Sequence, residues 1–210
     1  MSLFVEEKTS SALPPLPEDT YPAVCYALID IGEQYSQVFE KYTKKVVIGW
    51  ELIGETVTID GEEQPRTFFN TYTASLSTKS LLRKDLVSWR GRDFTVDELK
   101  GFNLRNIVGI PCMLQIVHKK NADGSKVYAN LASVTKVPKM LKIEKGKLAP
   151  VIYDIDESDP AIVETLPQWL QDKIHDSRSY VQHMDELADK PAQPAPTFEE
   201  IEDADGELPF

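Results

Sequence analysis

The order of its hydrophobic periods constrains this chain most. Segments 21–34 (YPAVCYALIDIGEQ), 45–53 (KVVIGWELI) and 67–77 (TFFNTYTASLS) carry the alternation and β-branched content of strands. The period then lengthens. In 79–89 (KSLLRKDLVSW), Leu81, Leu82, Leu86 and Trp89 recur three or four apart, as on one helix face. Thr95 and Glu98 have the spacing of a capping box that opens a second short helix through Leu99. Strand character returns at 110–118 (IPCMLQIVH) and 127–137 (VYANLASVTKV). Asp60-Gly61 and Asp123-Gly124 are turn signals between neighbouring strands, and Gly49 interrupts the second strand as a bulge or bend would.

Three strands, a helix and two strands predict a mainly β chain. The arrangement with that order is a five-stranded OB-fold barrel with the helix between strands 3 and 4. A parallel βαβ sheet would need a helix between successive strands, and only one connection carries one. The barrel is expected over 21–138, behind a flexible, proline-bearing lead at 1–20. A small appendage over 139–184 is expected to pack on it. That appendage holds a Lys-rich stretch (PKMLKIEKGKL), an acidic β-like segment (VIYDIDE) and one or two short helices with Leu166, Trp169, Leu170 and Ile174 on one face. From 185 to 210 Pro, Ala and acids dominate without periodicity, which predicts a disordered acidic tail.

The net charge of −11 argues against a nucleic-acid partner only until it is partitioned. Residues 41–147 hold 19 Lys and Arg against 11 Asp and Glu, a net of +8. Residues 1–40 carry −6, 148–184 carry −5 and 185–210 carry −8. A basic middle between acidic ends is a stronger indication of partners than the total.

Catalytic chemistry finds little foothold. His118, His175 and His183 are scattered, and the sequence has no HExxH, CxxC, phosphate loop or GxSxG. The DIDESD stretch at 154–159 lacks the Gly and ligand ladder of a Ca²⁺ loop and reads as a solvated acidic turn. No catalytic residue, metal or cofactor is therefore expected. Cys25 and Cys112 lie in apolar segments as buried thiols. Neither a membrane-length apolar run nor a secretory leader is evident, so a cytoplasmic location follows.

Single-strand binders combine a positive groove with aromatic rings on which bases stack. Here Lys41, Lys44, Lys45, Arg66, Lys119, Lys120 and Lys126 alternate with Tyr42, Trp50, Phe68, Phe69, Tyr72 and Tyr128. They fall on strands 2 and 3 and on the loops that bound the ligand face of an OB-fold. Half of any strand's aromatics face the core, so Trp50 and one of Phe68 and Phe69 are expected inward. Tyr42, beside three lysines, is the better stacking group. Arg83, Lys84, Arg90 and Arg92 read as the solvated face of the helix. In the tail, Asp203, Asp205, Glu207, Leu208, Pro209 and Phe210 form an acidic run with an apolar anchor and a terminal carboxylate, suited to capture by a partner protein. Its charge also suits it to compete with phosphates for the basic groove.

With this strand order, basic aromatic centre and Leu208-Pro209-Phe210 end, the chain resembles single-stranded DNA-binding proteins, whose bacterial members end in an acidic run and Ile-Pro-Phe. The stretch from Leu81 to Pro138 (SWRGRDFT, GIPCMLQIVH, YANLASVTKVPK) is also similar to small phage and prophage OB-fold single-strand binders of replication and recombination. The resemblance implies that Pro209 and Phe210 dock on replication or recombination proteins in a bacterial host. It leaves the oligomeric state open, because the 139–184 appendage departs from the bacterial pattern. Two other readings share the fold: a strand-annealing recombination mediator, and a protein-interaction module that never touches DNA. An RNA ligand is equally compatible with stacking grooves.

Overall fold

The computed structural model describes residues 14–37, 40–59, 61–121 and 123–189. Asp203, Asp205, Glu207, Leu208, Pro209 and Phe210 lie outside the described residues, as does Asp60 of the expected turn. The strands are β1 (Asp19–Ser36), β2 (Lys41–Ile59), β3 (Glu62–Thr73), β4 (Pro111–Lys120), β5 (Val127–Thr135) and the short β6 (Val151–Tyr153). The helices are α1 (Leu81–Arg90), α2 (Val96–Lys100), α3 (Gln168–His175) and α4 (Arg178–Asp189). The molecule is mainly β: a curled antiparallel half-barrel ordered β3-β2-β1-β4-β5, with β6 added parallel to β1. Among the described residues no helix is long and apolar enough to cross a membrane.

Two devices curl the sheet. β1 and β2 are 18 and 19 residues long, so both bend as they twist. A bulge sharpens the bend: Cys25 opposes Trp50 while Ala27 opposes Gly49, leaving Tyr26 as the extra residue. The irregularity expected at Gly49 thus falls on the opposite strand. Gly49 serves close approach instead, since a Cβ there would lie 2.6 Å from Phe69 Cε1 and 2.9 Å from Ala27 Cβ.

The bulge also reverses which residues face inward. Before it, Tyr21, Ala23 and Cys25 enter the inner core; after it, Leu28 does, while Ala27, Ile29 and Ile31 face outward. A second core therefore forms on the outer face, where Ile29, Ile31 and Val47 are covered by Tyr153, Ile155, Leu170 and Ile174. Each of those aliphatic side chains contributes roughly 1.5–3 kcal/mol on burial. The inner core is capped by α1 through Leu82, Leu86 and Trp89, with Leu81 half exposed. α1 packs against β5 and β3, on the side where no ladder joins those two strands among the described residues. Thr95 and Glu98 form the reciprocal capping box of α2.

Two boundaries differ from the sequence reading. The lead is not free up to residue 20: Leu16 is 4% exposed, its carbonyl meets the His118 ring at 2.8 Å, and β1 begins at Asp19. Buried Leu16 fixes this segment together with bonds in which the Pro14 carbonyl accepts from Arg66 and the Glu18 carboxylate accepts from the His118 amide. At the other end α4 continues past residue 185 to Asp189, so the helical part extends into the stretch read as tail.

Candidate nucleic-acid interface

Which cations are committed to acids divides the surface. Arg83 pairs with Asp93, Arg90 and Arg92 with Glu98, Lys100 with Asp97, and Arg105 with Asp154 and Glu157. Most of the expected solvated face of α1 is therefore an ion-pair cluster. The Arg92 bonds and the Thr95 amide hold the Glu98 carboxyl down at about 2. Of the candidates, Lys44 contacts Asp30 at 2.9 Å, Lys45 donates to Thr73 Oγ1 and Arg66 donates to the Pro14 carbonyl, both at 2.7 Å. Lys41 is exposed opposite Ser36 in the β1–β2 ladder.

Lys119, Lys120 and Lys126 contrast with these. All three are exposed on the β4–β5 hairpin and make no ion pair among the described residues. Turn residues around Gly124 shape that hairpin, with the Asn121 amide and carbonyl groups bonded to Lys126 and Gly124. Tyr128 stands directly across from Lys119 and is 51% exposed. A cation and an aromatic ring thus share one face of a two-stranded projection.

The aromatic candidates separate by depth. Trp50 and Tyr72 are 0% and 2% exposed in the inner core, out of reach of a base. Their strand positions match those of exposed aromatics, but the α1 side of the curl covers them. Tyr72 instead donates its hydroxyl to Asp85 Oδ2 at 2.9 Å, joining β3 to α1. Phe68 is half-buried against the inner core and Phe69 against the outer one, where Phe69 meets Tyr26 and Trp169 edge-on at 6.0 and 5.6 Å. Tyr42 is exposed, as expected, and packs on Tyr35 at 5.2 Å with the Arg178 guanidinium 5.4 Å from its ring.

A groove of about 440 Å³ lies against β3, lined by Arg66, Phe68 and Phe69 of β3, Tyr26 of β1, Leu16 and Ala129 of β5. Ala129, next to Tyr128 in β5, brings this groove to the β4–β5 hairpin on the face opposite the Tyr128 ring. Burial pushes the Tyr26 hydroxyl up to about 12, which keeps it a neutral phenol at the groove wall. The appendage covers Ala27, Ile29 and Ile31 of β1 and Val47 of β2, so the accessible part of the expected strand 2–3 face is the distal half of β2 with β3. Phe68, Phe69 and Arg66 line the groove; Lys41, Tyr42 and Lys44 stand apart at the β1–β2 turn.

Sequence reasoning gave no place at the interface to Tyr26, to Trp169 of the appendage face, or to the lysines of the strap that follows β5. Lys139, Lys142, Lys145 and Lys147 are exposed there without an ion pair among the described residues. Their run KMLKIEKGK was visible, but it was assigned to a packed appendage. The strap is held at its far end by Glu51, 3% exposed, which accepts from the Lys147 and Leu148 amides at 2.9 and 2.8 Å. Cys25 and Cys112 are fully buried, and burial raises both thiols, Cys25 to about 12. No protein-family model matches the chain, and no curated protein matches it.

Proposed function

We propose that this protein binds single-stranded DNA without sequence preference and without catalysing a reaction, in phage or prophage replication or recombination in the cytoplasm of a bacterial host. The observation that carries this reading is the separation of cations. Among the described residues the lysines of the β4–β5 hairpin have no acidic partners and stand beside exposed Tyr128, while the arginines around α1 are neutralised. Exposed lysines without acidic partners neutralise phosphates and release the cations condensed on them, and an exposed ring accepts any base by stacking, worth about 1–3 kcal/mol per base. The curled β3-β2-β1-β4-β5 order also suits a partly open OB-fold barrel, a fold that hosts such sites.

In this reading the strand passes from the Lys119–Tyr128 hairpin into the groove of Arg66, Phe68 and Phe69. Duplex DNA is disfavoured because its bases are already stacked. The tail residues Asp203, Asp205, Glu207, Leu208, Pro209 and Phe210 recruit replication or recombination proteins. Fluorescence anisotropy of labelled oligo-dT against a duplex of equal length tests the proposal. Tighter, salt-sensitive binding of oligo-dT supports it. Equal binding of both forms contradicts it, and no binding of either favours the protein-interaction module. Faster pairing of complementary strands would assign the annealing variant of the same activity.

A further inference from the structure

The strap between β5 and β6 carries a second feature that the hairpin reading does not use. The Leu141 amide donates to the Pro138 carbonyl at 2.9 Å, closing a turn with Lys139 and Met140 at its two central positions. Met140 is 100% exposed and Leu141 is 44% exposed. Lys136, Lys139, Lys142, Lys145 and Lys147 lie along the strap with no ion pair among the described residues, and Glu144 is the one acid within 136–147.

The turn is anchored on both sides. At one end the Lys136 stem packs on Gly91, where a Cβ would meet it at 3.1 Å. At the other the buried Glu51 carboxylate clamps the Lys147 and Leu148 amides, and Gly146 leaves room for it, since a Cβ there would lie 2.7 Å from Glu51 Oε2. A wholly solvated thioether on a tethered turn adds nothing to the fold. Its surroundings suit an apolar stack between two anionic rails.

We propose that the Met140 turn is a wedge that enters the base stack at a junction of single- and double-stranded DNA, opening the duplex end for the bound strand. Lys139 and Lys142 hold the flanking phosphates, while the unbranched, polarisable Met side chain fills the gap between separated base pairs, as apolar wedges do in other DNA-deforming proteins. An anionic bilayer is the rival surface, but one Met and half a Leu bury less than a single acyl chain, itself only a marginal membrane anchor. The inference rests on the single-strand-binding reading.

The test uses the full-length protein and a forked duplex with 2-aminopurine at the junction, alongside oligo-dT anisotropy. The wild type raises junction fluorescence. Met140→Ser leaves oligo-dT affinity within about twofold but slows fork opening by about fivefold or more, and Met140→Leu restores it. Met140→Ser opening the fork at the wild-type rate with oligo-dT binding intact overturns the wedge alone. Failure of the wild type to bind oligo-dT overturns the underlying reading and the wedge with it. Met140-dependent co-sedimentation with phosphatidylcholine–phosphatidylserine vesicles, without fork opening, would assign the turn to a bilayer and also overturn the wedge.

Discussion

Lys44 and Asp30 form an ion pair 2.9 Å long, with the carboxylate side chain 9% exposed and the lysine side chain 51% exposed. The buried partner decides what the lysine does. Asp30 also accepts from the Gly32 amide at 2.9 Å, so it helps set the irregular end of β1. Lys44 therefore belongs to the fold before it belongs to any ligand.

Lys44→Ala is expected to lower stability by about 1–2 kcal/mol, because Asp30 loses its charge partner, yet change oligo-dT affinity by less than about twofold. Urea unfolding and anisotropy check the two halves. The bond to Asp30 raises the Lys44 pKa above 10.5. The pair's contribution is thus complete below that value and is lost as the pH rises through the higher folded one.

Asp85 has a linkage of the same sign, from a different cause and in a lower pH window. Burial raises its pKa above 3.8, and the Tyr72 hydroxyl bond only partly offsets this. The folded state holds the proton more tightly, so stability falls as the pH rises from about 3.8 through the elevated folded value. Asp85→Asn keeps an acceptor for Tyr72 without the charge. It should match or exceed wild-type stability at pH 7 and flatten that slope. Denaturation midpoints between pH 4 and 7.5 measure it, and an unchanged slope would count against the assignment.

Gly49→Ala should cost about 1–3 kcal/mol by overpacking against Phe69 and Ala27. Because Phe69 carries Trp169 edge-on, the near-ultraviolet circular dichroism should change as well. Thermal melts and spectra recorded together distinguish this from a plain strand-propensity effect, which would leave the aromatic signal intact.

Much of this architecture could be read from the sequence, for identifiable reasons. The period changes at Leu81 and again at Pro111 mark real element boundaries, because each α1 or strand face is buried on a regular spacing. The run ALIDI was legible as apolar, but not as two-faced. That depends on the Tyr26 bulge, which has no local signature. Trp50 and Tyr128 look alike in sequence, yet one lies under α1 and the other projects beyond the sheet. Charge pairing was the least legible property. The acidic turn at 154–159 gives Asp154 and Glu157 to Arg105, while the strap lysines make no ion pair among the described residues, and that choice is made by tertiary placement.

The most direct measurement of the central claim is the salt dependence of oligo-dT binding by the wild type and by a Lys119→Gln, Lys120→Gln, Lys126→Gln variant. Each lysine that neutralises a phosphate contributes about −0.7 to the slope of log K against log salt, so the variant should lose about 2 units while keeping its melting temperature. An unchanged slope and affinity in the folded variant would contradict a DNA interface on the β4–β5 hairpin.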